Sequence, residues 1–458
     1  MSDTDKRPDL SPFKRPVSRR DVLKGGVYGL AGLTVAPAVI AACSSTATPS
    51  PSAAPASQAA GGNLKVGSNL SDAVPKKALQ SLVDAFTQQT GIKVTVNTVD
   101  HSTFQDQLSS YLQATPDDAF TWFSGYRMRF FAAQGLATSI DDVWSSVGSN
   151  FSAAMKTAST GDDGHQYLIP WNTYAWTVYY RKSLFAAHSY AIPTTLDQFK
   201  ALAAQMQKDG LVPIGLGQKD GWPAQGHFDI IDLRENGYQF HVDLLAGKAK
   251  WTDAKVKQVF TVWKTLLPFY QTGSAGRLWQ DAAAGLVKKT TGMMLQPQVA
   301  ETFQAAGQSE LDDLAFFPWP DHGTQWDAEK ALDAPVDGWM ISAKSPTLSA
   351  DLEAAKSFLS FLAKGSSQLI YAKANTSGIG VANDIDQSGY TALQKAQAQV
   401  ISAAQKVTQF LDRDTRPDFA GKNGMQAFLT DFVTTPDQDL DAFLTTIQSF
   451  WDSLGTYK

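Results

Sequence analysis

The chain of 458 residues contains a single cysteine, Cys43, and only five glutamates. One cysteine excludes an intrachain disulfide and a thiolate metal site. A cysteine consumed by lipid also excludes a cysteine nucleophile. The six histidines, at 101, 165, 188, 227, 241 and 322, form no H-E-x-x-H and no close pair suited to zinc. A G-x-S-x-G elbow and a P-loop are both missing. No run of basic residues interrupts the chain, which argues against nucleic acid as a partner. Long apolar runs are scarce too. The stretch Val27 to Ala42 is too short and too rich in glycine (Gly25, Gly26, Gly29, Gly32) for a comfortable transmembrane helix, and Pro37 would break one.

What is present begins with an address. The first 24 residues carry seven Lys/Arg and four Asp, a mildly basic start. Ser18-Arg19-Arg20-Asp21-Val22-Leu23-Lys24 resembles the twin-arginine export signal, with Val22 where a bulkier Phe is commoner. Ile40-Ala41-Ala42-Cys43 resembles a bacterial lipobox, whose cysteine is diacylated and becomes the first residue. The expectation is a signal peptide over 1–42 and a lipidated Cys43 on the outer face of the bacterial cell membrane. Residues 43–62 are a low-complexity tether of Ser, Thr, Ala and Pro that cannot bury enough apolar surface to order itself.

About 396 residues follow the tether, more than one small core holds, so two lobes are expected. Without residues 1–42 the chain carries 32 Lys/Arg and 40 Asp/Glu, a formal net of −8. Twelve Trp are many for this length. Each has a broad apolar face and one N–H donor, which suits the apolar face and polar edges of a pyranose as well as it suits a core.

Leu64–Val66 reads as a strand, and Pro75 opens a helix with Leu79, Leu82, Val83 and Phe86 on one side, ended by Gly91. Ile92, Val94 and Val96 alternate as a second strand. Phe104, Leu108 and Leu112 mark a helix, Ala119–Phe123 a buried strand, and a further helix ends at Gly135. Strand-helix alternation of this kind implies a parallel sheet, with ligand at the carboxyl ends of its strands. That rule selects Ser68, Asn69, Gly125 and Tyr126. Helical periodicity recurs over Leu196–Met206, Lys255–Leu267, Ala350–Leu362 and Leu393–Phe410, with Asp253 and Ser349 as expected caps.

Several phrases together resemble the solute-binding lipoproteins of sugar ABC importers, the cluster that includes maltose-binding protein. They are Phe86 to Val94, Gly164-His165-Gln166-Tyr167-Leu168-Ile169-Pro170, and Tyr179-Tyr180-Arg181-Lys182-Ser183-Leu184-Phe185. Pro193 to Phe199, Lys289 to Met294 and Phe358 to Leu362 follow in order. The resemblance implies an α/β, two-lobed periplasmic-binding-protein-like fold of class II, with three interlobe crossings near Trp171, Val336 and Ile379. Its lobes are expected at 63–171 with 336–378, and at 172–335 with 379–458.

A sugar site needs stacking faces and fixed hydrogen-bonding groups. Trp171, Tyr174 and Trp176 follow the first crossing and are expected to face the cleft or the core. Trp222, flanked by glycine and proline, reads as an exposed loop Trp. Trp279 and Gln280 stand between Gly276 and a helical alanine run. Asp337 and Trp339 flank Gly338 at the second crossing as a bond-and-stack pair. Asp412, Arg413 and Asp414 are the densest charge cluster, either a solvated turn, an interdomain ion pair, or a binder of sugar hydroxyls. His101 follows the second strand. Trp122, Trp144, Trp251, Trp263 and Trp451 are assigned to the core.

The functional expectation is a non-enzymatic, monomeric lipoprotein that captures an oligosaccharide or glycoside and presents it to an ABC permease, without cofactor or metal. Runner-up readings are a polyol or other polar solute, a sensory or adhesive surface lipoprotein, and last a secreted glycosidase, which needs two carboxylates at a fixed separation.

Overall fold

The computed structural model describes residues 62–455. The expected signal segment, Cys43 and nearly all of the tether lie outside them. Twelve strands occur among the described residues: β1 (Asn63–Ser68), β2 (Lys93–Thr98), β3 (Ala119–Phe123), β4 (Ala137–Thr138), β5 (Ile169–Thr173), β6 (Val178–Arg181), β7 (Val212–Ile214), β8 (Thr291–Leu295), β9 (Leu314–Phe317), β10 (Leu332–Asp333), β11 (Val336–Ser342) and β12 (Val407–Thr408). They form two main sheets and one short pair, with helices around them, in a two-lobed α/β arrangement.

The sheet of the first lobe runs β2-β1-β3-β11-β4, with β5 also on β11. β2, β1 and β3 are parallel, as the alternation with helices requires. β11 returns from far along the chain and pairs antiparallel with β3, β4 and β5, which sequence periodicity does not reveal. Successive side chains of β11 point to opposite faces. Trp339 and Ile341 join one apolar cluster, while Met340 joins another with Phe120 and Trp122. The sheet is therefore covered on both sides. The helix Ala73–Thr90 buries Leu79, Leu82, Val83 and Phe86 and ends at Gly91, whose φ of 76° lets its N–H return to Thr87 O.

The second lobe has a four-stranded sheet, β7-β8-β6-β9, inside the largest apolar cluster. Its longest helix, Pro223–Leu245, is broken at Gly237. β10 and β12 form the short parallel pair.

Two expectations are corrected. The helix begun at Leu393 does not reach Phe410. It spans Ala392–Ala403, Ala404 turns to extended backbone, and β12 then pairs with β10, a gain available only across the fold. Ser349 is not a cap: its helix is Leu348–Leu362, with Thr347 before it. Asp253 does cap its helix, accepting from Lys255 N.

Candidate functional site

The carboxyl ends of β1 and β3, the start of β11 and the segments 171–176, 371–377 and 409–413 converge on one cavity of about 310 Å³. Local sequence explains several of these placements. Asn69 leaves β1 and is pinned to β3: its N–H donates to Thr121 Oγ1 at 3.0 Å, and that hydroxyl donates back to Asn69 Oδ1 at 2.8 Å. Asp100 caps the helix His101–Gln113 by accepting from Thr103 N, which sets His101 in the first turn facing the cavity. Burial, reinforced by the positive charge of Arg413, holds His101 below the usual histidine range, so it is neutral near pH 7.

Arg413 is the central charged group. Its Nη1 donates to Asp337 Oδ1 at 2.5 Å, and its guanidinium lies 3.8 Å from the centre of the Phe123 ring. The Tyr174 ring is 5.6 Å away on another side. Burial pushes the Asp337 carboxyl up, and Arg413 opposes that push. Next to it, Asp412 is bound by Arg127, whose Nη2 donates to Asp412 Oδ1 at 2.8 Å. Both ion pairs join segment 409–414, which packs on the helix Pro223–Leu245, to the first sheet and the helix after β3.

Aromatic rings line much of the rest. Trp171 packs against Tyr371 with centroids 4.2 Å apart. Trp176 stacks on Phe410 at 4.8 Å and meets Trp222 edge-on at 6.3 Å. Gly226 makes room for Trp176: a Cβ there would fall 2.4 Å from the indole ring. Trp279 and Gln280 begin the helix Trp279–Val287, and Gln280 Nε2 reaches across to Asp72 Oδ1 at 2.9 Å. On the same wall Glu301 accepts from Ser377 Oγ at 2.9 Å and Asn375 Nδ2 at 3.2 Å. Burial pushes its carboxyl up to about 7 despite these bonds.

Among the described residues, several buried polar atoms of the lining have no partner. They include Nε1 of Trp171 and Trp176, Oε1 of Gln280, Oδ1 of Asn172 and Nε of Arg413. Buried polar groups are ordinarily hydrogen-bonded, and those that face the cavity can be met by a polar ligand or by water. Donors and acceptors are mixed, and they sit among aromatic faces.

The cavity thus gathers Asn69, His101, Trp171, Tyr174, Trp176, Trp222, Trp279, Gln280, Asp337, Asp412 and Arg413. Five sequence candidates lie off its lining. Ser68 is buried and its hydroxyl accepts from Leu70 N, holding the turn after β1. Gly125 takes φ 74° at the start of the helix Tyr126–Ala133 and lies against Asp414 and Gln409. Tyr126 carries the Arg129 guanidinium 4.7 Å above its ring. Trp339 points into the core, edge-on to Trp171 and Phe358 at 5.6 and 5.2 Å. Asp414 is half-buried and lies off the lining, against Gly125. Trp222 is not an exposed loop residue: it is 7% exposed and immediately precedes the helix Pro223–Leu245. Trp122, assigned to the core, also reaches the lining.

Sequence reasoning passes over Asp72, Asp100, Phe123, Asp220, Glu301, Tyr371, Asn375, Ser377 and Phe410. The polar run Asn375-Thr376-Ser377-Gly378, close to the expected third crossing, carries a usable signal. So does Glu301, one of five glutamates, beside the apolar pair Val299-Ala300.

A cavity of this kind in a two-lobed α/β fold defines a binding protein for a small polar solute. The chain belongs to the bacterial extracellular solute-binding protein family, which matches residues 72–368. The solved bacterial solute receptor AcbH, described as having an exclusive substrate preference for β-D-galactopyranose, is 41% identical with a TM-score of 0.83. That match covers 87% of this chain and 100% of the receptor. The alpha-glucosides-binding periplasmic protein AglE of Rhizobium meliloti (strain 1021) is 24% identical over 398 residues, 82% of this chain and 84% of that protein. An uncharacterised ABC transporter extracellular-binding protein of Pyrococcus horikoshii is 24% identical over 302 residues, and the match spans 65% of each chain. No helix among the described residues is long and apolar enough to cross a membrane.

Proposed function

We propose that this protein captures a small carbohydrate between its lobes and delivers it to the membrane permease of an ABC importer. The observation that carries this reading is the aromatic-lined cavity with its mixed donors and acceptors that lack a protein partner. A pyranose supplies apolar faces for the rings and hydroxyls that both donate and accept. The cavity of about 310 Å³ lies at the lower end of the small-molecule range, about 300–1,000 Å³. That size favours one sugar unit, and the AcbH relationship favours a galactose-type ring. A groove of about 580 Å³ adjoins the cavity through Ser102, Asp220 and Trp222, giving space for the remainder of a glycoside or short oligosaccharide.

The remaining features fit the same reading as proposals. Residues 1–42 serve as the export signal and Cys43 carries the lipid. Residues 63–171 with 336–378 make one lobe, and 172–335 with 379–458 make the other. The protein works as a monomer and is not an enzyme. The site residues are those of the cavity, with Arg413 and Asp337 fixing hydroxyls.

Calorimetry of the purified protein against D-galactose, D-glucose, β-galactosides, maltose, raffinose and polyols tests the assignment. Galactose or a β-galactoside is expected to bind, and Arg413→Lys is expected to weaken binding at least tenfold by losing the planar fork. No heat from any sugar at millimolar concentration would overturn the carbohydrate assignment.

A further inference from the structure

Behind the cavity wall, Asp229, His241 and Asp333 bring one potential ligand atom each within 4.8 Å of one another. All three side chains are fully buried. Among the described residues, Asp229 Oδ1, His241 Nε2 and Asp333 Oδ2 have no hydrogen-bond partner, and His241 Nε2 lies 3.8 Å from Asp229 Oδ1, within ion-pair reach. Every other polar atom of the trio is engaged. His241 Nδ1 meets Asp232 Oδ2 at 2.8 Å. Asp229 Oδ2 accepts from Leu411 N at 2.7 Å, and Asp333 Oδ1 accepts from the Thr408 hydroxyl. We propose that Asp229, His241 and Asp333 bind one divalent cation of the zinc type, a structural ion that ties together the scaffold behind the cavity.

The chemistry of the donor set argues for this. One neutral imidazole nitrogen and two carboxylate oxygens are zinc ligands, whereas calcium takes six to eight oxygens. In the neutral tautomer that donates Nδ1–H to Asp232, the lone pair of His241 lies on Nε2 beside Asp229, and a bound cation would replace the proton that the surrounding carboxylates favour there. A carboxylate on the far nitrogen is the usual companion of a metal-bound histidine. Asp232 is itself held by Asn236 Nδ2 at 2.7 Å. Three protein ligands leave one coordination position for a water.

Charge balance points the same way. Asp229, Asp232 and Asp333 crowd around one histidine in a fully buried place, with the half-buried Asp414 nearby. The arginines acting on them are Arg234, which is committed to the carbonyls of Ala331 and Trp319, and Arg129. Buried carboxylates are costly without compensation, and a dication supplies two charges at the point of need. The competing arrangement is a proton shared between Asp229 and Asp333.

Three chain segments meet here. Asp229 and Asp232 are one helical turn apart in the helix Pro223–Leu245, and the break at Gly237 redirects the chain before His241. Asp333 and Thr408 are register partners in the β10–β12 pair. Asp333 O accepts from Trp176 N at 2.9 Å, and Leu411 directly precedes Asp412 and Arg413.

The full chain, expressed in zinc-replete and in zinc-starved medium and desalted against a weak chelator, tests the proposal by elemental analysis and thermal melting. Zinc-replete protein is expected to retain about one zinc per chain and to melt about 5 °C or more above zinc-starved protein. Asp333→Asn is expected to cut retained zinc at least tenfold, and His241→Gln to do the same if it folds. Wild-type protein without zinc, or with equal melting temperatures from both media, would overturn the proposal in favour of the shared proton. Zinc that persists in Asp333→Asn would be surface zinc and would overturn it equally.

Discussion

Glu301 is a buried acid on the cavity wall, beside Val299 and Ala300 in the helix Val299–Ala306. Burial raises its carboxyl from 4.5 to about 7, and the bonds from Ser377 and Asn375 only partly offset that rise. Between these two values the folded protein binds more protons here than the unfolded chain, so stability falls as pH rises through that window. The full penalty above pH 7 is up to about 3 kcal/mol. Glu301→Gln keeps the acceptor oxygen and removes the charge. It is expected to leave the melting temperature at pH 4.5 nearly unchanged and to raise it at pH 8. An equal shift at both pH values would show that ionisation is not the cause. Asp337 is the contrasting case, because Arg413 accompanies its burial with an opposite charge 2.5 Å away.

The helix Pro223–Leu245 shows what one backbone position does for an element. Gly237 has φ 79° and ψ 166°, a region that is essentially glycine-only. A Cβ at this position would also come within 2.4 Å of the Trp326 ring. The break lets the chain before it carry Asp229 and Asp232 while the chain after it presents His241. Gly237→Ala is expected to cost about 2–4 kcal/mol, from backbone strain and overpacking together. Calorimetric melting should show a drop of several degrees, and a change within about 1 °C would mean that the helix absorbs the residue by straightening. Sequence periodicity describes the regular elements well: Ala73–Thr90 and Ala119–Phe123 stand where their apolar spacing places them. It overextends the helix from Ala392, because the pairing of β12 with β10 is a nonlocal gain.

At the scale of the molecule, segments far apart in the chain are tied around the cavity by Arg127–Asp412, Arg413–Asp337 and Gln280–Asp72, each pair crossing between the proposed lobes. Removing one partner of a buried ion pair leaves the other charge uncompensated, a loss of about 3–5 kcal/mol. Opening the lobes would return Asp412 to water, so Arg127→Met shifts the population toward the open form. Small-angle scattering without ligand should give a larger radius of gyration for Arg127→Met than for wild type. A sugar that binds should restore compactness with affinity reduced about tenfold. Unchanged scattering and affinity would mean that this pair stabilises one lobe and not the closed state.

The sequence alone determined the two-lobed α/β class, the family and much of the cleft. Aromatic and polar residues at expected lobe junctions, such as Trp171, Tyr174 and Asp337, and the charge cluster that holds Arg413 are recorded locally. Residue type and junction position nominate them, whereas the strand-end rule brings only Asn69 of its four candidates to the lining. The tertiary structure decided which of them share a cavity. Trp339 went to the core because it lies deeper along β11 than Asp337, past the register shift at Asp337/Gly338 and away from the strand end that meets the cavity. Glu301, Asn375 and Phe410 reached the lining because distant segments fold onto it. The same holds for Asp229, His241 and Asp333. No local spacing relates them, since a helix break and a two-residue parallel pairing bring them together, and such juxtapositions depend on packing across the whole chain.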